Sequence, residues 1–152
     1  MNLKLVLSAR MIQGAAEFMG KGYEDNQARL GQLQSFGKDL ARRAKSTCEL
    51  SLAKGVKLRT YEVPPVPQEP DLGRCLLLSE PTILVLEKPS LLVADDWRHL
   101  GELIWSDNAL VQVMTVRILT FLGKRHDWCR EVIEEAYLDD EVLSMAAEAP
   151  LG

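Results

Sequence analysis

Only two histidines, His99 and His126, occur in the 152 residues, so the chain has little material for acid–base chemistry near neutral pH. Cysteine is scarce too. Cys48, Cys75 and Cys129 are odd in number and widely spaced, which fits neither a disulfide framework nor a zinc pattern. Three reduced thiols in a cytoplasmic protein is the expectation. Aromatic residues make up 6% of the chain, so the core must be built largely from Leu, Val, Ile, Ala and Met. There is no glycine-rich phosphate loop after a strand, no G-x-S-x-G, no H-E-x-x-H and no paired C-x-x-C. Long apolar runs are missing as well. The most apolar stretch, residues 109–122, is broken by Gln112 and Arg117 and falls short of the roughly 20 residues that span a bilayer. Met1 to Met19 does not read as a signal peptide, because Arg10 and Glu17 interrupt it. No membrane association and no cofactor are expected.

Apolar residues at 47% and charged residues at 26% place the chain in the ordinary globular range. The net charge of −4 conceals an asymmetry. Residues 1–60 carry 11 Lys/Arg against 5 Asp/Glu, a balance of +6, whereas residues 61–152 carry 7 against 17, a balance of −10. Such a split suits contact between the halves, or a basic face for an acidic partner.

The periodicity predicts a mainly α fold: an N-terminal antiparallel helical hairpin over 1–60, a proline-rich linker or loop over 61–73, and a short β hairpin followed by a helical bundle over 74–152. An α+β fold with a small antiparallel sheet is the alternative. In the first helix, residues 2–19, Leu3, Leu7, Met11, Ala15 and Phe18 recur at steps of three and four. Gly20 and Gly22 are expected to end it. A long second helix is expected over 25–54, with the stripe Leu30, Leu33, Phe36, Leu40, Ala44, Cys48 and Leu52 and a stop at Gly55. Residues 56–63 alternate like a strand. The run Pro64-Pro65-Val66-Pro67-Gln68-Glu69-Pro70 excludes helix interior and central strand. Residues 74–78 and 82–86 have strand length, and Leu91–Ala94 is expected to pair back as a hairpin. Asp95 or Asp96 then begins a helix to Trp105. Further helices are expected over 107–122 (capped by Ser106), 128–137 (capped by Asp127) and from Asp139 or Asp140 to Glu148. Residues 103–145 resemble a single armadillo-type helical unit, with a short helix, the Ser106-Asp107-Asn108 loop and a long apolar helix. One unit buries no core alone, so no repeat architecture follows.

Four groups of residues are candidates for chemistry or binding. Asp95, Asp96, His99 and Glu102 share a face if helical, the set a cation or an acid–base pair would use. The alternative is an acidic helix start with an exposed histidine. His126 and Cys129 are close enough in sequence for a thiolate pair, but nothing nearby would orient them. Lys38, Arg42, Arg43 and Lys45, with Lys54, Lys57 and Arg59 beyond, form a basic stretch suited to phosphate, although no aromatic interleaves it for base stacking. Pro64–Pro67 has the spacing of a polyproline ligand but lacks an adjacent arginine.

With no catalytic residue or metal ligand assigned, the expected function is non-catalytic protein–protein interaction, as an adaptor, a chaperone or a small structural subunit. Leu5, Val6, Ile12, Met19, Leu33 and Phe36 are the expected interaction surface: Leu33 and Phe36 belong to the second stripe, and the other four widen the first beyond what one neighbouring helix covers. The partner would be another protein or a second copy. Nucleic-acid binding through the basic second helix is the alternative, and an enzyme using His99 with its carboxylates comes third.

Overall fold

The computed structural model describes residues 22–152. The fold is mainly α with a two-stranded antiparallel sheet. Helix α1 occupies residues 22–35 and passes through a turn at Phe36 into α2, Gly37–Ala44. Gly22, expected in a loop, is already helical, and nothing lies within 4 Å of where its Cβ would be. The preceding helix expected over 2–19 lies outside the described residues.

The second helix is not continuous to residue 54. It breaks at Phe36, beside Gly37, and ends at Ala44, where Lys45 (φ 53°) and Ser46 (φ 54°) turn left-handed. The Ser46 N–H returns to the Ala41 carbonyl at 2.9 Å and closes the helix end. Tertiary packing ends the helix early. The loop that follows is bridged between Thr47 and Lys54 and drives Cys48 and Leu50, both fully buried, into the core. Leu52, which a continued stripe would bury, is exposed.

Strands β1 (Leu58–Glu62) and β2 (Cys75–Ser79) pair antiparallel, with Thr60 opposite Leu77. The proline run is therefore the connection of a hairpin. Arg29 on α1 donates to the Pro67 and Gln68 carbonyls, and Arg74 donates to that of Pro65, which holds this loop in place. The whole of β2 is buried because the sheet is the middle of three layers. Cys75 and Leu77 face α1–α2 and pack on Leu33, Phe36 and Leu40. Leu76 and Leu78 face the C-terminal helices.

Residues 80–94 depart from expectation. Glu80–Glu87 is helix α3 rather than a strand, and 91–94 does not pair back as a hairpin. Pro81 stands in the first turn, where its fixed φ is suitable and its missing N–H is no loss. Thr82, Ile83 and Leu86 then recur at helical spacing and are buried. Three-residue and four-residue 3-10 turns follow at Pro89–Leu91 and Ala94–Trp97. The helix expected up to Trp105 shrinks to α4, Leu100–Leu103.

Helix α5, Ala109–Leu122, is the centre of the larger core. Val113, Met114, Ile118 and Leu119 are essentially solvent-free, and α6 (Asp127–Glu135) and α7 (Asp140–Glu148) pack against it. Its cap is Asn108, whose side-chain oxygen accepts from the Leu110 N–H at 3.0 Å, rather than Ser106. Asp127 is the first residue of α6 and His126 is its cap position; Asp139 holds the cap position of α7. Arg117 lies buried in this core. Its guanidinium donates to the Met145 and Ala146 carbonyls in the last turn of α7, and burial lowers its pKa.

Candidate interaction groove

The two edges of the sheet are treated differently. On β2 the outward main-chain groups are occupied. The Glu49 N–H donates to the Leu77 carbonyl at 2.9 Å, and the Leu77 N–H donates to Glu49 Oε2 at 2.8 Å. Arg43 completes the arrangement. Its Nε and Nη2 donate to the two Glu49 carboxylate oxygens at 3.0 and 2.8 Å, and Nη2 also reaches the Cys75 carbonyl at 3.1 Å. The Arg43–Glu49 pair thus stands where a third strand would otherwise add.

On β1 the opposite holds. The outward bonding of Leu77 places the Thr60–Leu77 pair among the non-hydrogen-bonded positions of the ladder. Leu58, Thr60 and Glu62 therefore turn their N–H and C=O groups away from β2. Among the described residues these groups have no backbone partner. This edge lies along a groove of about 740 Å³. One wall is helical, from Leu30, Leu33, Gly37 and Ala41 on α1–α2; the other comes from Glu80, Ile83 and Glu87 on α3. Leu30 is 44% exposed there. Two ion pairs flank it, Arg29 with Glu62 and Arg59 with Glu80. Tyr61 lies half-buried on the α3 side, where burial raises its pKa, opposed by Arg117 and reinforced by Glu87.

The residues expected to form an interaction surface divide. Leu33 lines the groove, and Phe36 packs inward on the sheet. Leu5, Val6, Ile12 and Met19 lie outside the described residues. Of the basic set, Arg43 is committed to Glu49 and the sheet edge, whereas Lys38, Arg42 and Lys45 are exposed.

The His99 constellation does not assemble. His99 Nε2 lies 2.7 Å from the Leu50 carbonyl, which can only accept, so Nε2 carries the proton. Asp95 pairs with Arg98, and neither Asp96 nor Glu102 makes a hydrogen bond or ion pair with the imidazole. Among the described residues no three His, Cys, Asp or Glu side chains are grouped to hold a metal ion. Cys129 is buried, with its thiol pushed up by burial, and its hydrogen bond with His126 joins backbone groups only. No helix among the described residues is long and apolar enough to cross a membrane.

Two further features escaped the sequence. Glu49 gave no local signal, since it lies in a stretch with helical spacing. Cys48 is fully buried yet close to Thr82 Oγ1 (3.5 Å) and the Ser51 N–H (3.4 Å). Burial pushes this thiol up, but hydrogen bonds from Ser51, Thr82 and the Ser79 backbone outweigh it and bring the pKa down to about 7. No family model matches the chain, and neither curated proteins nor solved structures give a significant match.

Proposed function

We propose that this chain is a non-catalytic protein–protein interaction module, an adaptor or small structural subunit, that binds its partner protein in the groove between α1–α2 and α3. The observation that carries this reading is the combination in one place of outward main-chain groups on β1, which meet no backbone partner among the described residues, with exposed apolar surface at Leu30 beside the half-buried Leu33. A strand edge with free main-chain groups is a template for pairing, and apolar surface gains from leaving water, so one partner answers both. The charged residues at the rim supply orientation more than affinity.

Site-specific photo-crosslinking tests the assignment. A crosslinker placed at Leu30 should capture a defined protein partner, and Leu33→Glu should abolish capture; a crosslinker at Leu143, an exposed apolar residue on α7, should not capture it. Equal capture from both positions contradicts the reading. Captured nucleic acid, released steeply by salt, would favour the basic helix α2 instead.

A further inference from the structure

We propose that the occupant of this groove is an extended peptide segment of a partner protein, which adds to β1 as a third strand of the sheet. This rests on the reading of the groove as a partner-binding site and specifies how it binds. Leu58, Thr60 and Glu62 present alternate N–H and C=O groups along one line, and among the described residues no backbone group meets them. A row with that spacing is the template a strand recognises. An α-helix satisfies its own main-chain groups and would leave the row unpaired.

The walls argue against a second copy. In this chain β1 lies between α1–α2 on one face and α3 on the other, and both contribute side chains to the groove. The β1 of another copy carries the same helical flanks, so bringing the two edges to a pairing distance of about 4.8 Å sets helix against helix. A single extended segment carries no such flanks.

Charge defines the segment further. Lys57 stands just before β1, and Glu87 closes α3 beside Tyr61, towards the other end of the strand. Among the described residues neither has an ion-pair partner, unlike Arg59 and Glu62. The complementary segment has apolar side chains at every second position, on the face that lies against Leu30 and Leu33. It has an acidic residue at the end that passes Lys57 and a basic one at the end that passes Glu87.

The probe is a random peptide display library selected on the full chain, followed by affinity measurement with the enriched peptides in synthetic form. The deciding variant is Thr60→Pro. It deletes one outward N–H while leaving the bonds between β1 and β2 in place, which is the setting in which an edge strand tolerates proline. Thr60→Val keeps the N–H and serves as the control. Enriched peptides should alternate in polarity. Thr60→Pro should weaken them by about tenfold or more, as the loss of a main-chain hydrogen bond implies, and Thr60→Val should not. Should Thr60→Pro fail to fold by circular dichroism, N-methylation of the peptide at alternate residues gives the same test: one set of positions should abolish binding and the other should not.

Peptides with apolar residues at i, i+3 and i+4 would overturn strand addition if their binding ignores Thr60→Pro and peptide N-methylation but requires Leu33. That result would leave the partner-binding reading intact. Failure of any peptide to depend on Leu33 or Thr60 overturns both. A stable dimer by light scattering that dissociates on Thr60→Pro would make the second copy the occupant and overturn the extended peptide.

Discussion

Glu49→Ala should loosen the outer edge of β2, and its cost can be worked from the contacts removed. The Glu49 carboxylate accepts from Arg43 twice and from the Leu77 N–H once. Leu77 is buried, so its N–H loses its partner where water cannot easily replace it, at a cost of about 1–3 kcal/mol. The ion pair adds less. The Arg43 side chain is 38% exposed and can turn to water, so about 0–1 kcal/mol is appropriate. The Glu49 backbone N–H still reaches the Leu77 carbonyl. The expected loss is therefore about 1–4 kcal/mol, read as a lower urea midpoint at unchanged slope. The exposed Arg98–Asp95 pair is the control, and Asp95→Ala should change stability by less than about half a kcal/mol. A loss that small for Glu49→Ala would refute the clamp.

Ile118→Ala should cost about 2–5 kcal/mol, since Ile118 is solvent-free at the centre of α5; a denaturant melt shifted by less than half a kcal/mol would remove α5 from the core. Gly31→Ala should raise stability by about 0.5–1 kcal/mol, because Gly31 is helical with open space around it, and a thermal melt checks the sign. The thiols predict opposite pH limbs. Cys48, lowered in the fold from 9 to about 7, contributes stability that is full above pH 9 and is lost as pH falls through 7; Cys75, raised by burial to about 11, contributes stability that is full below pH 9 and is lost as pH rises through 11. Each limb is worth at most about 2–3 kcal/mol, because a tenfold change in proton affinity corresponds to about 1.4 kcal/mol. Urea melts across pH 6–11 should rise and then fall, with Cys48→Ala removing the first limb and Cys75→Ala reducing the second, to which Cys129 and Tyr61, also raised by burial, contribute.

Much of this architecture is legible along the chain, for identifiable reasons. Helix α5 announces itself because it is apolar on nearly every side, which only a central helix can be. Strand β1 shows in its alternation, and the proline run shows where neither helix nor strand can continue. What failed was the reading of local period where tertiary packing decides. Leu40, Ala44, Cys48 and Leu52 keep helical spacing, yet Cys48 is delivered to the core by a loop and Leu52 to solvent. Residues 82–86 are too short a run to tell strand from helix, and the prolines at 81 and 89 that frame α3 carry the better signal. The candidate site was half visible. Leu33 belongs to it, but the groove depends on which strand edge is capped and which is left open. Arg43 and Glu49 decide that, and no pattern in the sequence ties either residue to Leu77.

The central claim is that one edge of the sheet is closed and the other open, and residue-resolved amide hydrogen exchange of the native chain tests it directly. Slow exchange is expected for Leu77, held by Glu49, and for Arg59 and Tyr61, which face β2, with fast exchange at Thr60 and Glu62 on the outward row. Protection of Thr60 and Glu62 equal to that of Tyr61 would mean that the β1 edge is already paired, and would contradict the claim.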